Sequence, residues 1–296
     1  MRWGSALAVV VALAVAAGAA AAPNLQPALL ALQATDMPGA QLASRGPVHE
    51  KNYVAAYQRT FTYASPTGAS GIRYVQSEAL VAATVARAAT AISQVRVAFA
   101  AKVGRAAFAA EVAKTLKVKQ SAVKLAALRL PRVGDHAAEL PLSVQMATGR
   151  IYESVLYLQL ERAVGIFVIA GTRPIAAADS RRLAAVVVAH IGTALTPQVY
   201  RVPELSGNPV LGELLTADTG TWSTTASFSY QWQRCDETAA NCMDIPGATS
   251  RTFTIDETEV NFALRVKVSA ANRFGTATAD SALTAKVTPP PDPGVQ

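Results

Sequence analysis

Four runs decide the fold of the first half of the chain: Val123-Lys-Leu-Ala-Ala-Leu-Arg-Leu130, Leu140-Pro-Leu-Ser-Val-Gln-Met-Ala147, Tyr152-Glu-Ser-Val-Leu-Tyr-Leu-Gln-Leu-Glu-Arg162 and Gly165-Ile-Phe-Val-Ile-Ala170. Each is short and rich in apolar residues, and Pro131–Gly134, Gly149 and Gly165 punctuate them, so four antiparallel strands are expected. Upstream, Val54–Tyr63 alternates apolar and polar residues as a half-buried strand does, and Ile72–Ala79 follows after the Ser65–Gly71 turn. Leu80–Ala100 places Val81, Val85, Ala88, Ile92 and Val95 at spacings of three and four, the period of a helix. Leu25–Gln33 and Ala106–Lys117 suggest two more helices. Asp179 stands as the cap of a closing one, Ser180–Ile191, with Leu183, Val186, Val187 and His190 on one face. The expected first domain, residues 22–195, is therefore α+β: an antiparallel sheet with helices on one face.

From about residue 204 the pattern changes. Short alternating segments recur every eight to twelve residues between Gly, Pro and Asn turns, the spacing of a β-sandwich. Trp232, Leu215, Phe253, Val266 and Val268 are its expected core. The expected organisation is a linker at 196–203, bracketed by Pro197 and Pro203, an all-β sandwich at 204–288 and a proline-rich tail at 289–296. With 51% hydrophobic and 16% charged residues, the chain has ample apolar surface to fold and too little charge to stay open.

At the N-terminus Met1–Arg2 precedes an apolar run, Ala6–Ala17, and then small residues up to Ala22. This is the order of a secretory signal peptide, expected to span residues 1–21. No Cys follows the run, so no lipid anchor of the bacterial lipoprotein type is expected. Export places Cys235 and Cys242 in an oxidising compartment, where six intervening residues suit a hairpin disulfide.

Two resemblances attach to these residues. Asp36-Met-Pro-Gly39, Tyr57-Gln-Arg-Thr-Phe61, the Ala-rich helix and Arg132-Val-Gly-Asp-His136 resemble secreted actinobacterial domains, among them PsbP-like lipoproteins and the extracellular sensor domains of receptor-type serine/threonine kinases. Gly212-Glu-Leu-Leu-Thr-Ala-Asp-Thr-Gly-Thr-Trp222, Tyr230-Gln-Trp-Gln-Arg-Cys-Asp236, Ile245-Pro-Gly-Ala-Thr249, Leu264-Arg-Val-Lys-Val268 and Ala271-Asn-Arg-Phe-Gly275 resemble the Ig-like repeat of bacterial surface proteins. The second resemblance implies an interaction or spacer module. Antibody-type domains bridge their two sheets with a Cys pair; here both Cys lie in one hairpin.

Motifs for chemistry are sparse. Asp135–His136 invites a dyad reading, but the elbow-like Gly68-Ala-Ser-Gly71 lacks Gly-x-Ser-x-Gly spacing. Glu153 and Glu161 stand eight apart on one strand, roughly 26 Å, too far for a glycosidase pair. Neither metal-ligand spacings nor phosphate-cradling loops occur, so no catalytic residue, metal or cofactor is expected.

Charge is the informative feature. Residues 22–200 carry 19 Lys+Arg against 9 Asp+Glu, whereas 201–296 carry 7 against 11. Between Arg96 and Arg132 lie Lys102, Arg105, Lys114, Lys117, Lys119, Lys124 and Arg129, opposed by Glu111 alone. Arg96, Lys102, Arg105, Lys114, Lys117, Lys119 and Lys124 are the candidate binding residues, since such a patch concentrates polyanions. With Phe99 and Phe108 as its aromatics the stretch has little for base stacking, and nucleic acid is not expected. The expected partner is an anionic cell-wall polymer, an anionic lipid surface, or a protein. The functional expectation is a secreted, non-enzymatic cell-envelope binding protein with a presenting sandwich domain. The alternative is an adhesion or matrix component in which the sandwich makes the contacts.

Overall fold

The computed structural model describes residues 25–50, 53–224, 226–236 and 241–291, which fall into two compact units divided after Ala194. The expected signal peptide lies outside the described residues, as does most of the proline-rich tail.

Unit 1 contains α1 (Pro27–Leu30), β1 (Gln41–Pro47), β2 (Ala55–Thr67), β3 (Ile72–Val81), α2 (Val85–Ala100), α3 (Lys102–Leu116), β4 (Val123–Leu125), β5 (His136–Met146), β6 (Gly149–Leu160), β7 (Ala163–Gly171) and α4 (Ala177–Leu195). The strands form one antiparallel sheet in the order β1-β2-β3-β7-β6-β5-β4. Two meanders, β1–β3 and β4–β7, thus meet along the β3–β7 pair, where Glu78 stands opposite Ile166 and Tyr74 opposite Ala170.

Helices cover both faces of this sheet, which corrects the expectation of helices on one. Leu140, Val155, Ile166 and Val168 pack in one core with Ile92, Val95 and Phe99 of α2 and Phe108 and Val112 of α3. Residues alternating with these point the other way. There the Ser180 hydroxyl of α4 and the Ser154 hydroxyl each donate 2.7 Å bonds to the Glu139 carboxylate. On that same side the Leu32 amide donates to Ser77 and the Arg59 guanidinium to the Ala28 carbonyl, at 3.1 and 2.6 Å, which seats the α1 segment. A sheet buried on two faces has strands that read as continuous apolar runs. All nine residues of β7 and the last eight of β6 are accordingly buried.

Several boundaries also move. Thr84 caps α2 by accepting from the Arg87 amide, so the helix begins after β3 instead of at Leu80. The run from Val123 forms a strand only over Val123–Leu125, followed by an isolated bridge from Arg129 to Glu139, and α1 is a single turn. Asp179 lies inside the first turn of α4 and accepts the Ser70 hydroxyl.

Unit 2 is built of strands: β8 (Val199–Arg201), β9 (Leu205–Ser206), β10 (Leu214–Ala217), β11 (Thr221–Trp222), β12 (Ser227–Cys235), β13 (Cys242–Asp244), β14 (Thr252–Thr254), β15 (Ala263–Asn272) and β16 (Gly275–Asp280). A three-stranded sheet, β14-β10-β9, and a four-stranded one, β13-β12-β15-β16, share a core of Leu215, Trp232, Ile255, Leu264, Val266 and Val268. Phe253, half-buried, stacks on Trp232 at 5.4 Å between ring centroids, and the indole N–H donates to the Ser250 carbonyl. The expected linker at 196–203 is not a free connection, because β8 within it pairs with β11. Cys235 and Cys242 are directly opposed across β12 and β13 and form a disulfide.

Candidate functional site

The seven candidate cations of the basic stretch stand in different settings. Arg105 turns inward, and its guanidinium donates to the carbonyls of Phe99, Leu125 and Ala126 at 3.4, 3.0 and 2.6 Å. It closes the end of α2 and ties that end to the strand-leading segment after α3, so its role is architectural. Lys114 pairs with Glu111 across one helical turn at 3.7 Å, an exposed contact worth little. Lys117 adopts the left-handed conformation (φ 55°) that terminates α3. Lys102 and Lys119 are exposed on or beside α3. Lys124 borders a depression of about 270 Å³ together with Arg129 and Tyr152, but Arg129 is held by Glu139 at 3.2 Å and by the Ile175 carbonyl.

Arg96 is placed differently. It projects from α2 toward the segment that leads into β5, and two adjoining depressions of about 310 and 290 Å³ both have Arg96 and His136 in their walls. Thr90 and Ser93 of α2 line the first; Arg132 and Asp135 line the second. The segment is rigidly set. Gly134 has φ +65°, and a Cβ there would stand 2.4 Å from the Gln159 carbonyl, so only glycine fits so close to β6. The Asp135 amide donates to that same carbonyl at 2.7 Å, and its carboxylate accepts the Glu161 amide at 2.8 Å. The Asp135 carboxylate accepts the Gln159 side-chain amide as well, at 3.5 Å, and the Thr90 hydroxyl donates to the Ala86 carbonyl at 2.8 Å, so the groove offers a guanidinium from each wall, an imidazole and the Ser93 hydroxyl. These are donors suited to an oxyanion, above all the planar forks of arginine.

The sequence had Arg132 as one cation among nine and His136 as half of a possible dyad. What it lacked was the α2–β5 contact that puts Arg96 against both. Ser93 shares the groove with His136, yet no hydrogen bond joins them among the described residues. Nor do the described residues hold a cluster of three or more His, Cys, Asp or Glu that could take a metal ion. No described helix is long and apolar enough to cross a membrane.

No family model matches the sequence, and no curated protein matches it. Among solved structures, the extracellular domain of PknH from Mycobacterium tuberculosis aligns at 10% identity over 56% of this chain and 94% of its own, with a TM-score of 0.36. A crystal structure of titin domains aligns at 12% identity over 86% of this chain and 84% of its own, TM-score 0.25. A beta-1,2-glucanase from Parabacteroides distasonis aligns at 9% identity over 84% of this chain and 36% of its own, TM-score 0.19. Likeness at these scores carries no statement about fold or function.

Proposed function

We propose that this chain is an exported, non-enzymatic protein of the cell envelope whose first unit holds an anionic envelope polymer, with an Ig-like second unit as spacer or presenting module. The observation that carries this is the groove between α2 and the 130–137 segment, where Arg96, Arg132 and His136 converge. The excess of cations in residues 22–200 draws polyanions toward that half of the molecule. Phosphate and carboxylate groups on a wall polymer, or phosphates of anionic lipids, supply the oxyanion that two guanidinium groups grip. The Cys235–Cys242 disulfide supports an oxidising compartment, as the N-terminal run does.

The test is co-sedimentation of the full chain with purified sacculi and, separately, with anionic liposomes, from low to high salt. Binding should fade as salt rises. Arg96→Glu combined with Arg132→Glu should abolish it, while Lys114, Lys117 and Lys119 changed together to Glu should only weaken it. Equal sedimentation of the Arg96/Arg132 double variant and the wild type would refute the groove as the site. Pelleting with sacculi alone identifies a wall polymer; pelleting with liposomes alone identifies a lipid surface.

A further inference from the structure

Exposed apolar side chains border the groove and the α2–α3 corner next to it. Val103 and Val97 are 82% and 66% exposed, the two highest values for a large apolar side chain among the described residues, and Leu130 is 52% exposed. Leu130 lies in the groove wall with Arg96 and Arg132. Val97 follows Arg96 directly, and Ser93, Arg96, Val97 and Ala100 recur at spacings of three and four on the exposed side of α2. Gly104 lies so close to the Ala98 carbonyl that a Cβ there would stand 2.2 Å from it, so Val97 and Val103 flank one tight corner.

Helix α3 extends this surface. Its inward side packs Phe108, Val112 and Leu116 into the core, while its outward side carries Val103, Ala106, Ala107 and Ala110, all exposed. A surface helix opposes an apolar stripe with a polar face, and a helix apolar on both sides is one that becomes covered. Charge selects the cover. Lys102, Lys114, Lys117 and Lys119 are exposed on or beside α3, and Glu111 is the sole acidic residue between 96 and 132. A second copy seated face to face would set these cations against themselves. A wall polymer supplies anions but no hydrocarbon to cover Val97 and Val103. An anionic bilayer supplies both, phosphates at its surface and acyl chains just beneath, and lysine stems cross that boundary with their ammonium groups held in the headgroup layer.

We propose that the α2–α3 corner and the adjoining groove rim dock on an anionic lipid bilayer. Val97, Val103 and Leu130 enter the boundary between headgroups and acyl chains, and Arg96 and Arg132 hold a lipid phosphate in the groove. The inference rests on the reading of that groove as an oxyanion site and names its partner.

The test is co-sedimentation of the full chain with vesicles of phosphatidylcholine containing phosphatidylglycerol, and with vesicles of phosphatidylcholine alone, at low and high salt. The wild type should pellet with the anionic vesicles, and part of that binding should persist at high salt, where attraction between exposed charges is screened. Val97→Gln combined with Val103→Gln leaves the charge unchanged and alters only exposed positions, so the far-UV signal should match that of the wild type. This variant should partition at least tenfold more weakly and lose the salt-resistant fraction. Leu29→Gln, also at an exposed apolar position but on the other side of the sheet, should bind as the wild type does. Absence of pelleting with the anionic vesicles, or equal pelleting with phosphatidylcholine alone, overturns the proposal. Loss of binding in R96E/R132E with none in V97Q/V103Q overturns it too, and leaves the groove as an oxyanion site without a bilayer. Unchanged pelleting of R96E/R132E overturns the groove reading itself.

Discussion

Replacing Glu153 by Gln should change how the stability of unit 1 depends on pH. Glu153 is 4% exposed, one of its carboxyl oxygens lacks a partner, and burial raises its carboxyl to about 8 from an ordinary 4.5. The folded protein thus keeps a proton that the unfolded chain gives up above pH 4.5. A group with its folded value raised contributes fully below its unfolded value, and its contribution is lost as pH climbs toward the folded one. Each pH unit in that window costs about 1.4 kcal/mol, so the loss is about 3 kcal/mol by pH 7 and approaches about 5 kcal/mol above pH 8. Glutamine is neutral in both states and lacks this slope; any misfit of its amide is a constant offset. The buried Glu78 gives the wild type and the variant the same additional slope, which cancels in their difference. Urea unfolding at pH 5, 6, 7 and 8 measures the effect, with two signals that separate the units. The α-helices of the described residues belong to unit 1, save for Leu195 at the end of α4, so far-UV ellipticity follows that unit. Trp222 and Trp232 lie in unit 2, so their fluorescence follows the other. The far-UV stability of E153Q relative to wild type should rise by about 2–3 kcal/mol between pH 5 and pH 7, with the tryptophan transition unmoved. Parallel far-UV stabilities across that range would refute a buried, protonated Glu153.

Other changes act through geometry. Arg105→Ala removes three carbonyl partners at the end of α2 and should lower the far-UV unfolding free energy by about 2–3 kcal/mol, yet leave polymer co-sedimentation of the folded protein intact. Gly104→Ala places a Cβ 2.2 Å from the Ala98 carbonyl where α2 turns into α3; urea unfolding followed by ellipticity should show a loss of about 1–3 kcal/mol. Reducing the Cys235–Cys242 disulfide releases a short loop and should lower unit 2 stability by about 2–3 kcal/mol, seen in tryptophan fluorescence and absent from the helical signal.

Strands β2, β3, β5, β6 and β7 were legible because their apolar content is dense and their ends are marked by Gly and Pro. β1 was not, since Gln41–Pro47 is almost wholly exposed, contains Gly46 and Pro47, and lies at the sheet edge with no alternation to betray it. The coverage of both faces was written in the continuous apolar run from Ala163 to Gly171, but a short run of that kind reads equally as a sandwich strand. Charge in residues 96–132 was legible as a total and not as a place. A one-dimensional count cannot distinguish Arg105, which spends its donors on backbone carbonyls, from Arg96, which faces Arg132 and His136 across a groove.

The acidic residues show most clearly where a local rule gives way to a tertiary one. Alternation assigns polar positions of a strand to water, an inference that holds when one face of the sheet is solvated. By that rule Gln76, Glu78 and Glu153 belong outside, and Glu153 and Glu161 share one exposed strand face. Once α2 and α3 lie on one face and α4 on the other, no wet face remains for the central strands. Glu161 escapes because it sits in the left-handed turn between β6 and β7, at φ 53°, whereas Glu153 and Glu78 are enclosed. Nothing in the immediate neighbours of Glu78 in sequence distinguishes it from a surface residue. Its burial is decided by Ile166 and Tyr157, some 80 positions away. A chain that encloses two carboxyl groups and leaves carboxyl oxygens of each unbonded accepts a stability penalty that apolar residues of similar volume would avoid. Burial raises both carboxyl groups, so retention of the proton is the relief open to each, and at Glu153 its signature is the pH slope that E153Q removes.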